Sequence, residues 1–181
     1  MKVCGSQFNH YLVWLAAIML ICGCQTNDKD KEKAKTKDAV GALRVHIESL
    51  RNLDGTGQSI SLIRSNPVIL TIANEPVLTE ASIIGAHLVD TPGGGYAVVI
   101  KFDDAGTYTL EQFSAANPGR HFAIFGQWGK KLTNGRWLSA PLITQRITNG
   151  ELIFTPDASR EETKDLVDGL ANAATKNRKA N

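Results

Sequence analysis

Short stretches of alternating or continuous apolar residues recur along the chain, and both patterns are typical of β-strands. The predicted strands are residues 43–47, 59–63, 67–72, 86–90, 96–102 and 121–125. Residues 67–72 form an apolar run, which is typical of a buried strand. A proline and three glycines at 91–95 predict a turn between the fourth and fifth strands, and residues 52–57 predict a turn between the first two.

Two stretches combine a helical period of apolar residues with capping residues at their start. Either carboxylate of Asp103-Asp104 can cap a helix over residues 105–116, and Asn117-Pro118-Gly119 ends it. Ser159 and Glu162 form a capping box for a last helix. The apolar stripe of that last helix is Leu166, Val167, Leu170, Ala171 and Ala174. Both helices are therefore predicted to pack one face on a core.

Residues 136–156 contain two short apolar runs joined by Thr148-Asn149-Gly150, and the Asn-Gly pair predicts the turn of a β-hairpin. Residues 127–134 predict a polar connection before it, and residues 79–86 fit a short helix or a loop equally well. Successive strands are thus joined by hairpins rather than by helical crossovers. The pattern predicts an α+β fold class, with an antiparallel or mixed sheet and helices packed on one side.

Residues 1–23 have the pattern of a secretory signal peptide, with a weakly positive flank ahead of an apolar run at 11–21. That run is too short to span a hydrocarbon core about 30 Å thick. The sequence Ile21-Cys22-Gly23-Cys24 resembles the lipobox of bacterial lipoproteins, and this resemblance makes Cys24 the acylated first residue of the mature chain. An ordinary signal peptide or an uncleaved anchor is the alternative.

The charge and the cysteines of the predicted mature chain exclude several classes of function. Removing residues 1–23 takes away one lysine and no acid, which leaves 19 basic against 18 acidic residues. Nucleic-acid-binding proteins normally carry a clustered basic excess, so we expect no nucleic-acid partner. All three cysteines lie at or before Cys24, so the mature chain forms no internal disulfide and no thiolate metal site.

The composition divides the rest of the chain into three parts. Residues 24–39 predict a lipid-anchored flexible tether, because they lack large apolar residues and alternate acids with lysines. Residues 40–174 have the composition of one folded domain, and residues 175–181 form a polar C-terminal tail. We expect attachment to a membrane through the lipid on Cys24, in the bacterial cell envelope and facing the periplasm. Gln25 stands where Asp would signal inner-membrane retention, which favours the outer membrane.

Several short motifs follow one another between residues 67 and 174. They are Glu75-Pro76-Val77-Leu78-Thr79, then Gly106-x3-Leu110-x2-Phe113-Ser114-x2-Asn117-x-Gly119-Arg120, then residues 121–124 ahead of Ser139-Ala140-Pro141, then Ile147-x2-Gly150 before Ser159-x2-Glu162. In this order and spacing they resemble the head subdomain in the first periplasmic region of SecD, the accessory subunit of the bacterial Sec translocon.

The resemblance to SecD implies an α+β head that moves relative to its base and contacts the exported chain outside the membrane. It supplies no catalytic residue. The sequence lacks the transmembrane bundle and the membrane-embedded acid of SecD, so proton-coupled pulling on a substrate does not carry over. What remains is a head-like module on a lipid anchor.

Residue types found in catalytic and metal sites occur in the chain, but without the spacing that such sites need. Ser139 has no GxSxG frame and precedes a proline that can begin a strand, so we predict a structural role for it. His46, His87 and His121 lie on three separate predicted strands, without an HExxH or paired spacing. Asp103-Asp104 could bind a cation, but two acids ahead of a helix are usually its cap. We therefore predict no catalytic residue, no metal site and no cofactor.

Trp128 lies between two glycines in the predicted polar connection and is the candidate for an exposed partner contact. The lipobox, the tether and the lack of a reactive constellation together predict a non-enzymatic lipoprotein whose SecD-head-like domain binds a polypeptide or a Sec translocon component. A partner strand could add to a sheet edge. An envelope hydrolase or sugar-processing enzyme with a site assembled by the fold is the alternative, and a structural scaffold lipoprotein is the second alternative.

Overall fold

The computed structural model describes residues 39–49, 57–62 and 67–180 of the chain. The strands of this part are β1 (Gly41–Ile47), β2 (Gly57–Leu62), β3 (Val68–Ala73), β4 (Leu78–Thr79), β5 (Ile83–Thr91), β6 (Gly95–Phe102), β7 (Phe122–Trp128), β8 (Asn134–Ser139) and β9 (Glu151–Phe154). The helices are α1 (Asp104–Ala116) and α2 (Arg160–Ala180), and short 3-10 helices lie at Glu80–Ser82 and Lys130–Leu132. The predicted signal peptide, Cys24 and the tether up to residue 38 lie outside the described residues, as does most of the turn predicted at 52–57.

The strands of the described residues pair antiparallel and form three sheets. Their orders are β4-β1-β7-β8, β2-β3 and β5-β6-β9. β1 and β7 pair along their full length, from Gly41 opposite Trp128 to Ile47 opposite Phe122. The predicted α+β fold class is confirmed, with antiparallel sheets and two α-helices.

The main hydrophobic core lies between α2 and the strands of the two larger sheets. The predicted stripe of α2 is buried at Leu166, Val167, Leu170 and Ala174, whereas Ala171 is half-buried. The strands contribute residues that are almost fully inaccessible, which are Leu43, Val45, Val98, Ile100, Ile124, Leu152 and Phe154. Burying a side chain of this size stabilises the fold by about 1.5–3 kcal/mol, so this contact between helix and sheets dominates its stability.

The hairpin of β2 and β3 forms a second, smaller core on β7. Its inward residues Ile60, Leu62, Leu70 and Ile72 pack with Ala123 of β7. On β3, Val68 and Ile69 are 41% and 74% exposed, so the prediction of a buried strand at 67–72 is wrong for its first half. Ile69 lies on the opposite face of β3 from the buried Leu70 and Ile72, and Val68 is the first residue of the strand.

The β-hairpin predicted at 136–156 does not form. β8 pairs with β7, β9 pairs with β6, and residues 140–150 between them have no regular strand structure. Ser139 therefore ends a strand instead of preceding one. Each apolar run pairs with a different strand, and local turn residues do not determine which strand that is.

Other predicted elements are confirmed with changed ends. Helix α1 and the hairpin of β5 and β6 form as predicted. Residues 79–86 become a 3-10 turn followed by the start of β5, whose buried Ile83 lies opposite Phe102. Helix α2 continues through residues 175–180, the stretch predicted as a polar tail, because no glycine or proline interrupts it. In the part of the chain that the structure describes, no helix is long and apolar enough to cross a membrane.

Candidate functional site

A groove with a volume of about 420 Å³ lies between β9 and the irregular segment 141–149. Its lining consists of Phe122, Pro141, Leu142, Ile143, Thr144, Gln145, Arg146, Ile147, Thr148, Asn149, Glu151, Leu152 and Ile153. Ligand-binding clefts in proteins commonly have volumes of about 300–1,000 Å³. The groove is therefore large enough to hold a ligand between two separate walls.

The first wall is the outer edge of β9, which pairs with β6 on its other side. The amide of Phe102 donates to the carbonyl of Gly150 at 3.0 Å. Hydrogen-bonded and non-hydrogen-bonded pairs alternate along an antiparallel ladder, so Leu152 bonds to β6 while Glu151 and Ile153 direct their backbone groups outward. No other strand of the described residues pairs with this edge.

The second wall, segment 141–149, is fixed to its neighbours by backbone hydrogen bonds. The Ile143 amide donates to the Arg120 carbonyl at 2.8 Å, and the Gly119 amide donates to the Ile143 carbonyl at 2.9 Å. Further along, the Ile147 amide donates to the hydroxyl of Ser114, which is buried in α1, at 2.9 Å. These bonds attach the wall to α1 and to the residues just before β7.

The groove combines apolar side chains with uncharged polar ones, and its charged lining residues balance each other. Leu142 and Ile153 are 51% and 55% exposed, among the most exposed large apolar side chains of the described residues. The two charged lining residues have opposite sign: Arg146 forms an ion pair with Glu111 of α1, and Glu151 lies opposite Lys101 in the sheet. The remaining polar lining consists of hydroxyls and side-chain amides. Such a surface suits an uncharged ligand.

A second cavity, of about 540 Å³, lies at the C-terminal end of α1. Its described lining is Gln112, Phe113, Ala115, Ala116 and Asn117, all from that helix end. The described residues form only one wall of this cavity, whereas they form both walls of the groove beside β9. We therefore take the groove beside β9 as the candidate site.

Trp128 is not an exposed contact, and the prediction that it is one is wrong. β7 continues to Trp128, whose side chain is only 3% exposed and packs in the main core. The guanidinium of Arg136 lies 5.0 Å from the Trp128 ring centroid and pairs with Glu162 of α2. The polar loop begins only at Gly129, so the tryptophan at its border anchors the sheet instead of facing a partner.

The three histidines have different surroundings in the structure. His46 is buried, and its Nδ1 donates to the Ala73 carbonyl at 2.9 Å. Burial lowers the pKa of His46 below its ordinary value. His121 Nδ1 lies 2.7 Å from Glu48 Oε2, and His87 is exposed on β5. Residues 39–49, 57–62 and 67–180 contain no group of three or more metal-ligating side chains.

Ser139 and the pair Asp103-Asp104 have surroundings typical of structural residues. Ser139 lies opposite Ile124 in the ladder of β7 and β8, and no histidine or acid of the described residues bonds its hydroxyl. The Asp103 carboxylate accepts a hydrogen bond from the Gly106 amide at 2.7 Å, so the predicted helix cap is confirmed and Asp103 is the capping residue. Asp104 lies in the first turn of α1.

Sequence reasoning missed the residues of the groove itself. Leu142 and Ile153 belong to the two apolar runs that were predicted to pair with each other in a hairpin. Their separation onto opposite walls leaves both side chains exposed. The alternation of buried Leu152 and Phe154 with Ile153 in β9 was the one signal that could have marked an outward apolar residue.

Comparison with known proteins links this fold to components of protein export. A family model described as the SecDF P1 head subdomain matches residues 58–174. The protein translocase subunit SecD of Calditerrivibrio nitroreducens is 32% identical over 112 residues, which are 61% of this chain and 19% of that protein. The chain thus corresponds to a small part of that relative.

Two solved SecDF structures share the fold of this chain. One, described as a membrane component that enhances protein export, has a TM-score of 0.53 and 20% identity, covering 81% of this chain and 69% of that one. The other, SecDF in a super-membrane-facing form, has a TM-score of 0.54 and 23% identity, covering 81% and 21%. At these identities the likeness concerns the fold alone.

Proposed function

We propose that the protein assists protein export in the bacterial cell envelope, because the chain belongs to the SecDF P1 head subdomain family. Membership in this family is the observation that carries the proposal. One solved relative of the same fold is described as a membrane component that enhances export. The chain matches only 19% of the length of the SecD relative. The proposal therefore concerns the function of the head subdomain and not the function of the rest of SecD.

The head acts, in this proposal, by binding polypeptide and not by catalysis. Its ligand is an exported chain or a component of the Sec translocon. The groove beside β9 supports this, because it joins an open strand edge to exposed apolar side chains. Neither wall carries a nucleophile beside a base or a pair of free acids. The groove therefore does not support the hydrolase alternative.

A lipid on Cys24 holds the head at the membrane. Ile21-Cys22-Gly23-Cys24 supports lipidation, and the charged, apolar-poor sequence after it supports a flexible tether of residues 24–39. The protein then faces the periplasm, with Gln25 favouring the outer membrane.

Metabolic labelling with an alkyne fatty acid tests the anchor. The unmodified protein and a Cys22→Ser variant should incorporate the label, and Cys24→Ser should not. Cys22→Ser is the matched control, because it removes a thiol two residues away within the same motif. Equal labelling of the Cys24→Ser variant would refute lipidation at this residue.

In-cell crosslinking followed by pull-down of the full-length protein tests the role in export. We expect Sec components or exported chains to be recovered with the unmodified protein and lost with Cys24→Ser. Recovery of neither from the unmodified protein, with the domain stably folded, would contradict the role in export and leave the scaffold alternative.

A further inference from the structure

We infer that the groove beside β9 binds an extended, uncharged polypeptide segment, which adds to the free edge of β9 as a fourth strand of the β5-β6-β9 sheet. This inference rests on the proposed polypeptide-binding function and names its site. Three features of the groove carry it: the backbone of Ile153, the distribution of charge and the fixed second wall.

The backbone groups of Ile153 are the first feature. They point away from β6 into the groove, and no strand of the described residues bonds to them. The neighbouring outward amide, that of Glu151, already donates to the side chain of Asn149 at 3.1 Å. An exposed strand edge with an unpaired amide and carbonyl is a template for another strand. Ile153 is therefore the central residue to which an added strand would bond.

The charge distribution selects among extended segments. The charged lining residues, Arg146 and Glu151, have opposite sign, and Arg146 is already paired with Glu111. An acidic ligand side chain would lose hydration without gaining a free cation, because Arg146 is already paired, and a basic one would meet only Glu151, which lies opposite Lys101. Apolar ligand side chains, by contrast, would cover the exposed Leu142 and Ile153. The preferred segment is therefore uncharged, with apolar residues at alternate positions.

The second wall is already ordered before a ligand arrives. The Ile143 amide donates a hydrogen bond to the Arg120 carbonyl, and the Ile147 amide donates one to the hydroxyl of the buried Ser114. A ligand does not have to order this segment, and the entropy cost of binding is smaller for that reason. The groove is thus a preformed cleft with one strand edge left open.

Binding of a defined peptide to the purified full-length protein tests the inference. The probe is a dye-labelled, ten-residue peptide of alternating valine and threonine, measured by fluorescence anisotropy. Its matched controls are two forms that are N-methylated at alternate residues, one in each of the two phases. An added strand bonds to β9 through every second amide only. The form that is N-methylated at those amides should therefore bind at least about tenfold more weakly than the other form. Equal binding of both forms, or no binding of the unmodified peptide, would overturn the inference.

Protein variants locate the binding at β9. Ile153→Pro removes the outward amide without breaking a bond to β6, because proline is tolerated on an edge strand when its nitrogen faces outward. It should weaken peptide binding at least about tenfold, whereas Ile153→Val should bind as the unmodified protein does. Unchanged binding by a folded Ile153→Pro variant would overturn the site. If that variant does not fold, the comparison of the two N-methylated peptides still decides.

Photo-crosslinking in cells separates this inference from the proposed function. A photoreactive residue at Leu142, in the groove, should capture exported chains, and one at Ile69, exposed on β3 outside the groove, should not. Capture from Ile69 alone would overturn the site but leave the function standing. Peptide binding that depends on Ile153 without any capture in cells would overturn the role in export and leave the site standing.

Discussion

Gly169 of α2 and Gly41 of β1 meet backbone to backbone. A Cβ atom on Gly169 would lie 2.3 Å from the Gly41 nitrogen, and a Cβ atom on Gly41 would lie 2.7 Å from the Leu166 carbonyl oxygen. Neither distance is sterically possible, and the obstructing atoms are backbone atoms that cannot swing aside. Both residues therefore have to be glycine for α2 to lie this close to β1, an inner strand of its sheet.

Gly169→Ala should destabilise the protein by about 1–3 kcal/mol, because the added methyl forces α2 away from β1. In a helix without such a contact the same substitution would stabilise by about 0.5–1 kcal/mol. The sign of the change in the free energy of unfolding, measured by urea denaturation, therefore tests the contact directly.

Gly85→Ala in β5 is the matched control for Gly169→Ala. The nearest atom to a Cβ on Gly85 is the Lys101 Cβ at 3.8 Å, an ordinary contact distance. The free energy of unfolding of this control should remain within about 0.5 kcal/mol of that of the unmodified protein. If Gly169→Ala behaved like this control, the close contact of helix and strand would be contradicted.

Trp128→Ala should lower the free energy of unfolding by about 3–5 kcal/mol, because it leaves a large cavity in the main core. It also removes the ring on which the Arg136 guanidinium rests. Chemical denaturation measures the loss. Tyr108→Ala, which removes an aromatic ring that is 60% exposed on α1, is the control and should change stability little. A well-folded Trp128→Ala protein of unchanged stability would contradict the buried position.

Asp103→Ala should destabilise by about 1 kcal/mol, because it removes the carboxylate that accepts the Gly106 amide at the start of α1. Asp104→Ala is the paired variant: it removes an acid from the first turn of the same helix without removing the cap. Its cost should be smaller, about 0.3–1 kcal/mol. Thermal unfolding of both proteins at low salt gives the comparison, and a larger loss from Asp104→Ala would contradict the assignment of the cap.

The stability of the protein should fall as the pH drops below about 6.5, partly through His46. Burial lowers the pKa of His46 in the folded state, so the unfolded chain takes up the proton first and unfolding is favoured below the ordinary histidine pKa. Above that pH the imidazole is neutral in both states and this contribution is constant.

His46→Gln should flatten this pH dependence, because glutamine does not titrate and its amide can still donate toward the Ala73 carbonyl. Urea unfolding between pH 5 and 7.5 measures the slope. His87→Gln, at an exposed position on β5, distinguishes the loss of this imidazole from the loss of any imidazole. An identical slope for His46→Gln and the unmodified protein would contradict a role of the buried ring.

Local patterns predicted the elements whose signals lie within a few residues. Asp103 and the Ser159–Glu162 box mark helix starts because a cap needs only its own turn, and both caps form. The glycines at 91–95 likewise close a hairpin of adjacent strands. Trp128 and Ile153 were missed because burial depends on what packs across them from distant parts of the chain. A tryptophan beside glycines fits a loop and a core border equally well.

The sequence by itself determined the α+β class, most of the strands, both long helices and the likeness to the SecD head, since period, caps and motif order are properties of neighbouring residues. Only the tertiary structure decided which strands pair. β8 pairs with β7 and β9 pairs with β6, so a groove lies where the local turn residues predict a hairpin. Strand pairing is a competition among edges far apart in sequence, and its outcome depends on the packing of the whole domain.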